Sequence, residues 1–518
     1  MNDPRAEREP TPAVDAPGGP PPRDRRALAP TLVVAAAILL GVLWPVIRSN
    51  GFGEHDAAFS AAQMGWVQQV VVHGGALWDA PLGYPGTDGT TRADWVLVQA
   101  LLTLPWRAAG PEIAWSAATL LGLLMTALGA AFVGRRLLGD GPQLLPAILV
   151  LAVGPAVMPH LAHPNLLYTG IGLFAAGLAV GTRREAFAAG LLVAVAFHAG
   201  LYTGLRAAAL VGAVLAARRD LRAIAAAALG FGLLVPTLVP VYRHYAAAGS
   251  GQWVDAKENL DQSVDVSQLW GADAGPGLPG VVLTAIGLGG LWLRRRSAPW
   301  RWLALGAAAC FLLALGSPLQ FGGHPTGLSG PWILLDLLSG HRLRGPERWL
   351  VYVHLALALG AGAALLSVPS RWRWPAALAL SAALVAESPH PHRSAAPRWT
   401  TALTEAAAAL PGDAPLWNIP GHDDCAGGEY VAALALGRPL AGGTYARFDA
   451  ALSEPNRLAR TWPAPPAVAW AQKHGVLVVE HPPLRGEDPS GFTCVRAAGH
   501  RLCTAAAALS APPPSARP

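Results

Sequence analysis

Apolar runs long enough to approach a bilayer crossing recur from residue 29 to residue 387, and arginines gather after every second one. A spanning helix needs about 20 apolar residues, with a range of roughly 17–25. The candidate runs are 29–47, 113–133, 142–159, 165–181, 187–201, 205–217, 223–241, 279–293, 302–317, 349–366 and 373–387. The stretch 187–217 can be read as one run or two, and the arginines decide. With two runs, Arg135-Arg136, Arg183-Arg184, Arg218-Arg219 with Arg222, Arg294-Arg295-Arg296 and Arg371 with Arg373 all fall after every second run. That is the positive-inside pattern with a cytoplasmic N-terminus. Merging the pair would break it. The eleven spans expected from this pattern place the C-terminal region outside.

The bulk composition agrees. Only 14% of residues are charged and mean hydropathy is +0.36, against about 25% charged in a soluble domain. The net charge of +6 is almost all arginine, since Lys257 and Lys473 are the only lysines. Arginines beside apolar runs read as membrane orientation rather than nucleic-acid binding. The first 28 residues are Pro-rich and polar. The run after them is too long for a signal-peptide core, with no small-residue cleavage site following. Residues 1–28 are therefore expected to be a disordered cytoplasmic tail, and 29–47 a retained span. The heavy Ala, Gly, Pro and Arg usage looks like that of a GC-rich bacterial genome, and a bacterial inner membrane is the expected location.

Four longer segments then lie outside: 48–112, 242–278, 318–348 and 388–518. Acids concentrate there, including Glu54, Asp56, Asp79, Asp88, Asp94, Asp255, Glu258, Asp261, Asp265 and Asp273. Those between 255 and 273 have no metal-ligand spacing and read as solvated. Glu54-His55-Asp56 follow the first run directly, where charge is costly unless a rim or wet cavity receives it. Residues 56–73 place Phe59, Met64, Trp66, Val67, Val70 and Val71 largely at helical spacing. They suit an amphipathic helix along the membrane interface. Asp56 opens that helix, where a carboxylate is favoured in its charged form. It reads as an N-cap, a catalytic group, or both. A Gly/Pro turn and a second helix over 93–106 follow.

This first outer loop resembles that of the C-type (GT-C) glycosyltransferases: a first span, an acid at its outer end, a juxtamembrane helix, Leu77-Trp78-Asp79-Ala80-Pro81 with Tyr84-Pro85, and a second helix. Three further stretches resemble the same superfamily. His160-Leu161-Ala162-His163-Pro164-Asn165-Leu166 is similar to its "H-L-x-H-x-Q-L" opening of the fourth span, with Asn165 where Gln is commoner. Leu315-Gly316-Ser317-Pro318 is similar to "LG-x-P", and Arg344-Gly345-Pro346-Glu347-Arg348-Trp349 to "R-x-P-x-R-F" before the tenth span. The likeness covers roughly residues 29–480.

The resemblance implies a polytopic, mainly α membrane bundle over 29–387 that transfers a sugar from a polyprenyl-phosphate carrier on the outer face. The acceptor would be an envelope glycan or lipid. It implies an acidic general base in the first outer loop; Asp56 matches best. Glu54 would position the acceptor or a divalent cation. Arginine suits a departing lipid phosphate because its fork binds bidentately. Arg344 and Arg348 are the candidate clamps, with Arg92 a further one and His163 a donor contact. Each has a plainer reading: the arginines as helix-end anchors, His163 as a packed histidine.

From about residue 388 helix and strand alternate, with a helix over 401–410, strands at 416–420 and 475–480, and a helix over 464–474. This predicts a small exoplasmic α/β domain over 388–510; 511–518 read as a disordered tail. Cys494 and Cys503 flank a stretch that suits a bridged hairpin, and pairing of Cys425 with either is the alternative. His422-Asp423-Asp424-Cys425 matches no zinc spacing. Two other classes compete with an enzyme: a non-catalytic GT-C-like scaffold or lipid-handling protein, and a secondary transporter. The transporter reading is weakened by spans nearly free of charge and without an inverted repeat.

Overall fold

A computed structural model describes residues 25–49, 55–78, 80, 82–84, 95–161, 163–248, 262–269, 278–338, 343, 345–388, 405, 407, 410, 414–419, 433, 436, 438–441, 450–480, 488–497 and 500–505. Every expected span is helical. The helices are α1 (Arg25–Ser49), α4 (Pro111–Leu138), α5 (Leu145–Val153, entered through a 3-10 turn at Pro142–Leu144), α6 (Pro164–Leu167) with α7 (Thr169–Ala179), α8 (Arg183–Ala199), α9 (Leu201–Arg218), α10 (Leu221–Ala248), α11 (Val281–Arg294), α12 (Ala298–Ala314), α14 (Leu350–Leu366) and α15 (Ser370–Ala386). Among the described residues, six helical segments are long and apolar enough to cross a membrane. The others are shorter and lie among them. The disputed stretch is two helices, parted at Gly200 (φ 156°, ψ 150°), a backbone region open mainly to glycine.

Small residues let the helices approach closely, as where Gly287 and Gly290 of α11 face Leu357 and Gly360 of α14. The arginine pairs meet at one end of the bundle. Arg136 pairs with Glu185, which also closes a capping box with Thr182 at the start of α8. Arg218, ending α9, donates to the carbonyls of Ala179 and Gly181, the latter at 2.7 Å. Arg135 Nε reaches Asp140 Oδ1 at 2.5 Å.

Outside the bundle, a six-stranded sheet runs in the order β1-β5-β4-β6-β8-β7. Its strands are β1 (Leu82–Tyr84), β4 (Leu416–Ile419), β5 (Leu440–Ala441), β6 (Leu477–Glu480), β7 (Phe492–Ala497) and β8 (His500–Ala505), with α16 (Ala450–Ala459) and α17 (Pro465–His474) between β5 and β6. The expected strands and the 464–474 helix are present; of 401–410 only 405, 407 and 410 fall among the described residues. Cys494 and Cys503 face each other in the β7–β8 register and form a disulfide. Cys425 lies outside the described residues.

One strand comes from the other end of the sequence. β1 belongs to the loop between α1 and α4 and pairs in parallel with β5, Leu82 opposite Leu440. The loop helix α2 (His55–His73) joins the same core: Ala62 and Trp66 pack with Leu416, Leu440, Leu477 and Leu502. On its other side Ala61, Met64 and Val67 pack with Ala114, Trp115 and Ala118 of α4. The helix expected over 56–73 is present, and it packs on two sides. α2 is clamped between bundle and sheet, and its small residues at 61 and 62 permit both contacts. Gln68 is buried too, its Nε2 donating to Ala100 O at 3.1 Å and Thr103 Oγ1 at 3.0 Å. The second expected helix is shorter, α3 (Leu97–Leu102), continued as a 3-10 turn over Leu104–Ala109.

Candidate functional site

The bundle end opposite the arginine pairs carries a polar cluster in an otherwise apolar interior. Arg206, one turn into α9, is 4% exposed. Its guanidinium donates to the backbone carbonyl of Arg348, and Nη1 lies 3.5 Å from Thr169 Oγ1. The Tyr352 hydroxyl, in the first turn of α14, donates to the Arg206 carbonyl. α9, α7 and α14 are thereby tied at one level.

Arg348 sits in the 3-10 turn Pro346–Trp349 that opens α14 and is 6% exposed. Gly345 precedes it in the left-handed region (φ 70°), and a Cβ there would lie 2.8 Å from Arg348 Cδ. Glycine thus supplies both the turn and the room for the side chain. The Arg348 guanidinium carbon stands 4.6 Å from the Tyr202 ring centroid, a cation–π contact. Its Nε is 3.9 Å from Glu347 Oε1, beyond hydrogen-bond reach. No hydrogen-bond partner for that Nε exists among the described residues. His160 and His163 complete the cluster, their rings 6.1 Å apart, with His160 in the field of Arg348 and Arg206. The His163 N–H donates to the His160 carbonyl at 2.9 Å.

The two buried guanidiniums therefore lie within each other's field, with Glu347 as the neighbouring carboxylate. Leaving a buried charge unpaired costs about 3–5 kcal/mol. Two guanidiniums beside one carboxylate favour a further anion, and a planar fork favours phosphate or carboxylate oxygens.

A loop straps this end. Val264 N–H donates to the Ala314 carbonyl at 2.9 Å, and Glu347 N–H to the Gln262 carbonyl at 3.1 Å. Asp265, expected to be solvated, is 5% exposed. It accepts from Ser267 N (2.7 Å), Ser267 Oγ (2.6 Å), Gly322 N (3.1 Å) and Gly323 N (2.5 Å). Burial pushes this carboxyl up, but the hydrogen bonds from Ser267, Gly323 and Gly322 outweigh it and hold it below the ordinary Asp value. The two glycine N–H groups of a tight turn could not have been assigned to it from spacing alone.

Of the residues expected from sequence, Arg348 and His163 stand together in this cluster. Asp56 is the second residue of α2, and its side chain lies outside the described residues. Glu54, Arg92 and Arg344 also lie outside them. α2 reaches the same end of the bundle, since it packs on Ala118 of α4, whose carbonyl accepts from Tyr168 Oη at 3.0 Å, next to Thr169. Among the described residues no group of three or more His, Cys, Asp and Glu could hold a metal ion. Arg206 was missed by motif reading. Its signal was a lone charge within an apolar run, which in a membrane is a functional-site pointer by default.

No family model matches the chain, and no curated protein sequence matches it. Solved structures do. ArnT from Cupriavidus metallidurans bound to undecaprenyl phosphate aligns with a TM-score of 0.53 at 14% identity, covering 93% of this chain and 99% of that one. The apo state of the same protein gives 0.50 at 15% identity with the same coverage. ArnT is a GT-C glycosyltransferase, and at this identity the likeness establishes architecture. The chain has the GT-C-like fold of a multi-pass membrane protein.

Proposed function

We propose that this protein is a membrane glycosyltransferase that moves a sugar from a polyprenyl-phosphate donor to a glycan or lipid acceptor of the cell envelope. The reaction takes place on the outer face of a bacterial inner membrane. The observation that carries this reading is the pair of buried arginines, Arg206 and Arg348, with an unpartnered Nε on the second. That ArnT binds undecaprenyl phosphate on the same fold lends the donor class support.

In this reading the acceptor hydroxyl oxygen bonds to the sugar's anomeric carbon as the bond from that carbon to the phosphate oxygen breaks. The electron pair leaves with the lipid phosphate, whose developing charge Arg348 takes up directly. Arg206 adds a second positive charge behind it, and Arg344 and Arg92 are further candidates for the same oxygens. Asp56 takes the acceptor proton. Glu54 positions the acceptor or a divalent cation, and His163 contacts the donor.

The test uses the full chain in phosphatidylcholine vesicles with a radiolabelled polyprenyl-phosphate sugar and an envelope lipid extract. Mass spectrometry of envelope glycolipids from cells with and without the protein gives the acceptor. Labelled product that Asp56→Asn abolishes, while lipid-phosphate binding survives, supports the reading. Unchanged transfer by Asp56→Asn removes Asp56 as the base. Binding of lipid phosphate with no product in vesicles or cells would point instead to a non-catalytic lipid-handling protein.

A further inference from the structure

The segment between α12 and α14 carries an apolar ridge on a surface assigned to water by topology. It contains β2 (Gln320–Phe321), β3 (His324–Pro325) and the short helix α13 (Trp332–Leu338). In α13, Trp332 is buried and Leu335 packs on the bundle core, so one face is fixed inward. Leu334, Leu337 and Leu338, spaced i, i+3 and i+4, form the opposite face and are 63%, 59% and 85% exposed. Phe321 and Leu328 of the adjoining hairpin are also exposed. A loop in water rarely presents such a contiguous set.

We propose that the exposed α13 face is seated in the acyl-chain layer of the leaflet at the site end of the bundle. Its occupant is lipid hydrocarbon, for two reasons. α13 packs against α12, whose own outward residues Leu305 and Leu312 are exposed apolar positions of a membrane helix, so the ridge continues a bilayer-facing surface. The segment 319–338 also contains a single acid, Asp336, and no lysine or arginine, so seating it brings few charges into the membrane. The tight turns at Gly322, Gly323 and Gly327, all at positive φ, fold the backbone back on itself. The Leu319 carbonyl is met by Thr326 N–H at 2.8 Å, and Leu319 N–H donates to Leu328 O at 2.8 Å. Exposed non-helical backbone is excluded from the hydrocarbon layer, so the hairpin stays at the interface and only the α13 face is seated. The hairpin's turn is held by Asp265 through Gly322 and Gly323, so the segment that carries α13 is joined to the strap beside Gly345 and Arg348. This inference stands whether or not sugar transfer is the activity.

The experiment labels the full chain, in a Cys310→Ser, Cys425→Ser background, with a nitroxide at Leu334→Cys, Leu337→Cys or Leu338→Cys. Each is reconstituted in phosphatidylcholine nanodiscs, and collision rates with oxygen and with a water-soluble nickel chelate are measured. Leu305→Cys is the lipid reference and Arg295→Cys, exposed at the arginine end, the water reference. The expected result is an oxygen-to-nickel ratio at the three α13 sites matching Leu305→Cys and severalfold above Arg295→Cys. A ratio matching Arg295→Cys overturns the proposal in favour of water. Low collision with both reagents overturns it in favour of a protein cover.

Discussion

The two ends of the bundle use arginine in opposite ways. At one end Arg135, Arg136 and Arg218 keep about a quarter of their side-chain surface exposed and each meets a carboxylate or free carbonyls: Asp140, Glu185, or the C-terminus of α7. At the other end the guanidiniums of Arg206 and Arg348 are buried and meet a carbonyl, the Tyr202 ring and a threonine, with one carboxylate, Glu347, 3.9 Å from Arg348 Nε. The first set has what arginines need to hold a helix end at a membrane surface. The second sets two buried guanidiniums against a single neighbouring carboxylate, which favours a further anion. The lesson is that burial and partner chemistry, rather than residue type or proximity to a span, separate an anchor from a binding group.

The comparison breaks most sharply if the site arginines prove dispensable. Arg348→Ala should cut sugar transfer by about 10²–10³-fold, the usual loss when one donor to a developing charge is removed. Arg135→Ala should leave transfer within twofold, or about 0.4 kcal/mol. A radiolabel transfer assay checks both. Arg206→Met should lower transfer nearly as far, and should also weaken binding of the lipid phosphate alone.

The next effect concerns the clamp on α2. Trp66 joins the core shared with the sheet, and its Nε1 donates to the Leu77 carbonyl at 3.2 Å. Trp66→Ala should destabilise the protein by about 3 kcal/mol. Proteolysis should then release the sheet from the bundle before the bundle unfolds.

Asp265 gives a smaller effect with a defined sign. Its carboxyl lies below the ordinary value in the folded state. The stability it confers is therefore fully present above the unfolded value, about pH 3.9, and is lost as pH falls through the lower folded value. Limited proteolysis of the 319–328 hairpin should accelerate on acidification below about pH 4. In Asp265→Asn it should already be faster at neutral pH. At the arginine end, Arg136→Ala should cost least, under about 1 kcal/mol, as for other partly exposed pairs. A thermal unfolding series orders it against Trp66→Ala.

Much of the fold was legible in the sequence. Hydrophobic run length marked where the bundle helices lie among the described residues, and the arginine spacing marked the division at Gly200, because both signals are local. The Cys494–Cys503 hairpin was likewise readable from nearby residues. What escaped was non-local. The pairing of Leu82 with Leu440 joins segments more than three hundred residues apart, and nothing near Leu82 announces it. The double burial of α2 was hidden because alanines at 61 and 62 carry little hydrophobic signal yet decide how closely two neighbours approach. Within the buried cluster, Arg348 and His163 lie in short recognisable stretches. Arg206 has no motif and became visible only where α9 meets the opening of α14.

The central claim is that the buried arginine pair forms an anion site for a lipid phosphate. The most direct measurement titrates purified protein in detergent with undecaprenyl phosphate, following ligand-induced thermal stabilisation, for the wild type, Arg348→Ala, Arg206→Met and Arg135→Ala. The account predicts saturable stabilisation of the wild type and Arg135→Ala, with at least about tenfold weaker binding, or 1.4 kcal/mol, in each site variant. Equal affinity across all four proteins would contradict it.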